Sequence, residues 1–192
     1  MVDPTLIPFD GVTPTVDDSA FVAAGSRVIG KVTIGAESSI WYNCVLRGDV
    51  NHIVIGARTN IQDGTVIHVD SPKGGGDGLS TIIGNDVLIG HMVMLHGSVL
   101  RDHAFVGLGC IVMDGCTIES DAMLAAGSML TPGKTMRSGE LWMGRPAKKL
   151  RDLSAEEIAR NRLAAAGYVA LAQKHKTTAR AESDPIASDR LL

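Results

Sequence analysis

VGLGCIVMDGCTIESDAMLAAGSML, residues 106–130, carries an aliphatic side chain at every sixth position: Val106, Val112, Ile118, Leu124 and Leu130. Four places after the first four of these stand Cys110, Cys116, Ala122 and Ser128, all small. A large inward residue, a small inward residue and a tight corner in each six residues describe one side of a parallel β-helix. Three such sides make a coil of eighteen residues.

The same marks extend towards the N-terminus. Val16, Val22, Val28, Ile34, Ile40 and Leu46 fall six apart, and a three-residue excursion precedes Ile55, Ile61 and Ile67. A ten-residue insertion, SPKGGGDGLS, comes before Ile83, Ile89 and Leu95; one residue is then dropped before Leu100. Eighteen marks give about six coils. One coil alone does not bury its apolar face, so the coils are stable only as a stack. The small positions include Ser26, Ser38, Cys44, Thr59, Thr65, Val87, Val93 and Val99. Gly35, Gly56, Gly84, Gly90 and Gly107 follow the large ones, where a corner favours a residue without Cβ. All three cysteines occupy small inward positions, so they read as core thiols, not ligands or redox groups.

The expected organisation is an all-β solenoid over residues 8–146, a helical segment over 147–176 packed on it, and a disordered tail over 177–192. Ser154 and Glu157 form a capping box ahead of residues with high helix propensity. Ile158, Leu163 or Ala165, and Val169 offer the apolar stripe.

Composition limits the function. A net charge of −3 argues against nucleic acid and anionic membranes as partners. The N-terminus MVDPTLIPFDG lacks a charged region followed by an apolar run, and no apolar stretch reaches the length of a membrane span. Three cysteines make no disulfide framework. These features predict a cytoplasmic protein.

Coil register also places the histidines. His68 and His96 each follow an inward mark, Ile67 and Leu95, and are one coil apart once the insertion is subtracted. They therefore stack on one corner, about 4.8 Å apart, a spacing at which two imidazoles share one ion. Arg47 lies one coil below His68 in the same column. His91 falls on a different side, with Asp63 one coil below it and Gln62 beside Asp63. One chain does not bring the two columns together, so a shared ion requires His91 from a neighbouring copy around a threefold axis. His52, His103 and His175 read as having no chemical role.

The stretches LRGDVNHIVIGARTNIQDGTVIH and IGHMVMLHG resemble the gamma-class carbonic anhydrases. That family includes bacterial relatives in phenylacetate and carnitine gene clusters and others labelled ferripyochelin-binding. The resemblance covers residues 8–175 and implies a left-handed parallel β-helix of hexapeptide repeats with a C-terminal helix, assembled as a homotrimer with a metal at each interface. It further implies that His68, His91 and His96 are the metal ligands, to zinc or to iron(II) or cobalt. Arg47 and Asp49 match an interface salt bridge, Gln62 and Asn60 match polar residues beside metal-bound solvent, and Asp63 matches a carboxylate supporting a ligand. Tyr168 matches a tyrosine directed at the site. The implied activity is that of a lyase, reversible hydration of CO2 to bicarbonate by a metal-bound hydroxide, an ion of this kind bringing the pKa of its water to about 7. Gln62 would orient the hydroxide and Arg47 favour the anionic product.

The sequence departs from the archaeal pattern where a proton must leave. Val50 stands where that type has glutamate after the Arg-Gly-Asp motif, and the insertion has Asp77 but no glutamate. Asp77, His52 or buffer would have to carry the proton. Two other functions compete: a non-catalytic metal-stabilised trimer used for binding or as a scaffold, and a hexapeptide-repeat acyltransferase acting on a CoA thioester.

Overall fold

The computed structural model describes residues 5–72 and 75–183, with side chains to residue 178. Short strands wind into a parallel solenoid with three faces. One face stacks Val45 and Leu46 on Val66–His68, Met94–His96, Ile111–Val112 and Met129–Leu130. A second stacks Ile53–Ile55 on Thr81–Ile83, Val99–Leu100, Thr117–Ile118 and Thr135–Met136. The third runs from Phe21–Val22 through Ser39–Ile40, Asn60–Ile61, Leu88–Ile89, Phe105–Val106 and Met123–Leu124 to Glu140–Gly144.

From Val28 onward the six-residue marks are the core, with Val16 and Val22 half-buried against it. Ile40, Leu46, Ile61, Ile67, Ile89, Leu95, Val106, Ile118 and Leu130 are fully buried in one continuous cluster. Burial of each such side chain contributes about 1.5–3 kcal/mol before entropy is counted. Cys44, Cys110 and Cys116 are buried, free of disulfides and directed at backbone carbonyls. Burial pushes the Cys44 thiol up to about 11. One inward assignment shifts. Around the dropped residue the buried small side chain is Ser98, whereas Val99 is half-buried and lies in the strand, because that side has five residues instead of six.

The three-residue excursion is a bulge inside one long strand, Val45–Ile55. Gly30 pairs with Gly48 and Val32 with Ile53, so residues 49–52 loop out without disturbing the coils on either side. Asn51 donates its side-chain amide to the carbonyls of Asp70 and Asp77, tying the bulge to the inserted loop. At several corners non-glycine residues adopt left-handed backbone in a stacked series: Glu37, Arg58, Asp86, His103 and Asp121.

The C-terminal segment differs from the expectation in two ways. Residues 147–152 are not helical. They form the strand Ala147–Asp152, folded back antiparallel on Glu140–Gly144 after the turn at Arg145–Pro146. The helix starts later, at Ala155, where Ser154 Oγ accepts from the Glu157 amide and Glu157 Oε2 from the Ser154 amide. It also runs further, to Ser183, through residues of good helix propensity such as Ala179, Arg180, Ala181 and Glu182, while the hydroxyls of Thr177 and Thr178 turn back to the carbonyls of Gln173 and Lys174. Residues 184–192 of the expected tail lie outside the described residues.

The helix covers the third face, running from the later coils back to the earlier ones. Arg162 makes a paired ion contact with Asp121, and Gln173 and Lys176 reach the carbonyls of Ser19 and Ala20. Ala165 and Ala172 are its buried residues, and Ile158, Tyr168 and Val169 are half-buried. Leu163, the alternative to Ala165, is 73% exposed.

Candidate metal centre

Parallel pairing sets His96 directly on His68, at the ends of the strands Met94–His96 and Val66–His68. Their facing nitrogens, His68 Nδ1 and His96 Nε2, are 3.1 Å apart. The far nitrogen of each ring meets a carboxylate. His68 Nε2 is 2.9 Å from Asp49 Oδ1, and His96 Nδ1 is 2.5 Å from Asp114 Oδ1. Asp49 also takes the Arg47 guanidinium. Burial alone would raise the Asp49 carboxyl, but the bonds from His68 and Arg47 outweigh it and hold the group below its usual range.

His91 lies at the turn after Leu88–Ile89, off the corner that holds His68 and His96. Its Nδ1 is 2.8 Å from Asp63 Oδ2, the residue one coil below. Thus all three candidate ligands share one pattern: one ring nitrogen oriented by a carboxylate, the other left to face outward or its partner. Metal-ligating histidines characteristically have such a partner, which fixes the ring and raises its basicity. The donor set therefore fits a divalent ion, and two nitrogens 3.1 Å apart match an ion about 2.0–2.1 Å from each. Among the described residues of one chain, no three His, Cys, Asp or Glu side chains gather into a metal-holding group.

Asp114 escaped the sequence reading. It lies eighteen residues beyond His96, but the dropped residue shifts the register, so the coil sets Val112 on Leu95 and Asp114 over Gly97. Gly97 is what admits it: a Cβ there would stand 2.7 Å from Asp114 Oδ1, and the backbone is left-handed at φ +45°. A glycine after the ligand with an aspartate one coil on was the available signal.

The remaining residues fall into two groups. Asn60 and Gln62 are buried on the helix-covered face, with Gln62 Nε2 donating to Asn60 Oδ1 at 3.1 Å; no hydrogen bond joins either to the three histidines. Tyr168 packs edge-on against Trp41, 5.7 Å between ring centroids. Burial, then the charge of Asp63, pushes its phenol up. His175, expected to be idle, joins the aromatic cluster of Phe21, Trp41 and Tyr42, with Nδ1 3.0 Å from Tyr42 Oη. His52 Nδ1 lies 3.1 Å from Ser80 Oγ.

No family model matches the chain. Curated relatives do. The chain is 49% identical over 180 residues to gamma carbonic anhydrase 3, mitochondrial, of Arabidopsis thaliana, covering 94% of this chain and 70% of that one. It is 42% identical over 171 residues to a carbonic anhydrase of Geobacillus kaustophilus, covering 89% and 91%. The chain belongs to the gamma carbonic anhydrase family. Gamma carbonic anhydrase 2 of A. thaliana is 45% identical over 180 residues, and this family member spans 94% of its own length but only 65% of that protein's. A solved hexapeptide transferase family protein from Anaplasma phagocytophilum superposes at a TM-score of 0.83 with 50% identity, covering 88% of this family member and 97% of that chain. No described helix of this family member is long and apolar enough to cross a membrane.

Proposed function

We propose that the protein hydrates CO2 reversibly to bicarbonate at metal centres shared between copies of the chain around a threefold axis. Each centre takes His68 and His96 from one copy and His91 from the next. The observation that carries this reading is the common carboxylate support of the three imidazoles, two of which already face each other at 3.1 Å. An assembly is further supported by the apolar surface along the His91 column. Met92 is 69% exposed, and Met94, Leu108 and Tyr42 are exposed beside it.

Zinc suits three neutral imidazoles, as do iron(II) and cobalt. Such an ion supplies Lewis acidity that lowers the pKa of a coordinated water from 15.7 to about 7. The chain's own residues do the rest. Asp49, Asp114 and Asp63 hold the rings and their tautomers. Arg47, paired with Asp49, favours the anionic product, and the buried Gln62–Asn60 pair orients the nucleophile by hydrogen bonding. Tyr168 closes the helix side of the His91 column. The exported proton goes to solvent buffer or to a group such as His52, since no glutamate follows Asp49.

The test combines metal analysis with stopped-flow CO2 hydration for the wild type and His91→Ala, loaded anaerobically with zinc, iron(II) or cobalt. Hydration by the wild type and its loss in His91→Ala is the expected result. Stoichiometric metal without hydration under any loading would establish the binding or scaffold reading instead. Because the solved Anaplasma phagocytophilum relative is named a hexapeptide transferase family protein, acetyl transfer from a CoA thioester is measured in parallel. Transfer that survives demetallation would replace the hydratase assignment.

A further inference from the structure

At the C-terminal end of the solenoid, where the chain folds back as a hairpin, there is a cavity of about 430 Å³. Thr131 and Lys134 of the last coil line it together with Trp142, Pro146, Ala147, Lys148 and Lys149 of the hairpin. That volume lies within the range of small-molecule sites, roughly 300–1,000 Å³.

The floor is built and oriented. Trp142 and Ala147 pack on the end of the apolar core. The Trp142 indole N–H donates to Glu140 Oε2 at 2.8 Å, which fixes the ring. Glu140 Oε1 accepts from Lys149 Nζ at 3.0 Å, and Asp152 does so at 2.7 Å, so the charge of Lys149 is compensated.

Lys134 and Lys148 are different. Both are exposed, and neither forms an ion pair with any described residue. Lys134 is also out of pattern. It stands over Cys116, in the inward position that small or β-branched residues fill elsewhere, and at the open end its long side chain lines the cavity instead. The cavity therefore combines two uncompensated ammonium groups with a flat apolar surface.

We propose that this cavity binds a small phosphate monoester with a flat apolar body, the phosphoryl group between Lys134 and Lys148 and the body on the Trp142 indole. A monoester carries about −1.5 to −2 charge at neutral pH, which two lysines match. Lysine serves phosphate as a point charge, without the planar geometry that an arginine site would impose. The indole contributes stacking and apolar contact that inorganic phosphate does not use.

Titration calorimetry of the whole, metal-loaded chain with phenyl phosphate and with AMP tests this, and the tryptophan emission lost in Trp142→Leu, which leaves Trp41, serves as a second readout. At least one ester binds with a Kd below about 1 mM, and Lys134→Gln/Lys148→Gln weakens it about tenfold or more. Inorganic phosphate binds at least about tenfold more weakly than that ester. Trp142→Leu reduces ester affinity towards the phosphate value. Should that variant fail to fold, the lysine pair, exposed on the surface, still decides the matter. Binding of the ester persists in His91→Ala, which separates this cavity from the metal centre. The proposal is overturned if neither ester binds at about 5 mM, if the lysine variant binds as tightly as the wild type, or if inorganic phosphate matches the esters.

Discussion

A β-carbon at position 97 would stand 2.7 Å from the Asp114 carboxylate and 2.8 Å from Leu79 Cβ, on backbone already at φ +45°. Gly97→Ala therefore acts twice. It strains the left-handed backbone, at a cost of about 1 kcal/mol or more, and displaces the carboxylate that orients His96. A lowered urea midpoint together with weaker zinc affinity is expected; retained affinity would show that Asp114 does not support the ligand. Asp114→Asn isolates the second effect, with a loss of about 10–100-fold in metal affinity at nearly unchanged stability, read by competition with a chelator. The three histidines were legible in the sequence because their positions follow from counting coils. Asp114 was not, because one dropped residue offsets it, and only the pairing of Leu95 with Val112 reveals the new alignment. Nor did spacing disclose the buried pairing of Gln62 with Asn60, which depends on the helix lying over that face.

At the scale of elements, the solenoid strands are too short to be stable singly and are held by the stacked inward residues. Leu95→Ala, at a fully buried position, is expected to cost about 2–5 kcal/mol, measured from the denaturant midpoint. The periodicity made these strands readable, and the bulge at residues 49–52 left that reading intact since it projects outward. The helix's capping box was readable, but the segment expected to be helical began at residue 147, eight residues ahead of Ala155, and its end was not readable. Its N-terminus has a capping box, whereas Thr177, Thr178 and the small and charged residues after them look like solvated tail until the helix is seen to continue through them. That N-terminus should be sensitive to pH. Glu157 is held at about 2, first by the Arg151 guanidinium and then by the Ser154 amide, against an ordinary value near 4.5. Its folded-state pKa lies below the unfolded one, so its contribution is complete above about pH 4.5 and disappears as pH falls towards 2. Glu157→Gln should thus melt below the wild type at pH 6 and converge with it near pH 2, as followed by helical circular dichroism. A constant difference across that range would rule out the ion pair as its source.

For the whole molecule, a site shared between copies predicts a species of about 60 kDa in solution, three chains of 20.2 kDa. Complementation tests the sharing directly. His91→Ala homotrimers and His68→Ala/His96→Ala homotrimers should both lack intact centres. Unfolded together at equal amounts and refolded, the two variants should regain about a quarter of the centres, because one interface in four draws its ligands from the intact side of each chain. Absence of any recovery, in metal content or in hydration, would place all the ligands within one chain.

The hairpin at the end of the solenoid has a consequence of another kind. Each coil offers the next a ladder of open backbone groups 4.8 Å away, and nothing in a parallel stack limits its growth. Folding Ala147–Asp152 back antiparallel on the third face's last strand breaks that ladder on this face, and Lys148 to Asp152 are all exposed, their four charged side chains discouraging contact. The hairpin thus serves as a stop. A chain cut after residue 139 would end in a bare template, and such ends would polymerise into fibres instead of remaining discrete particles.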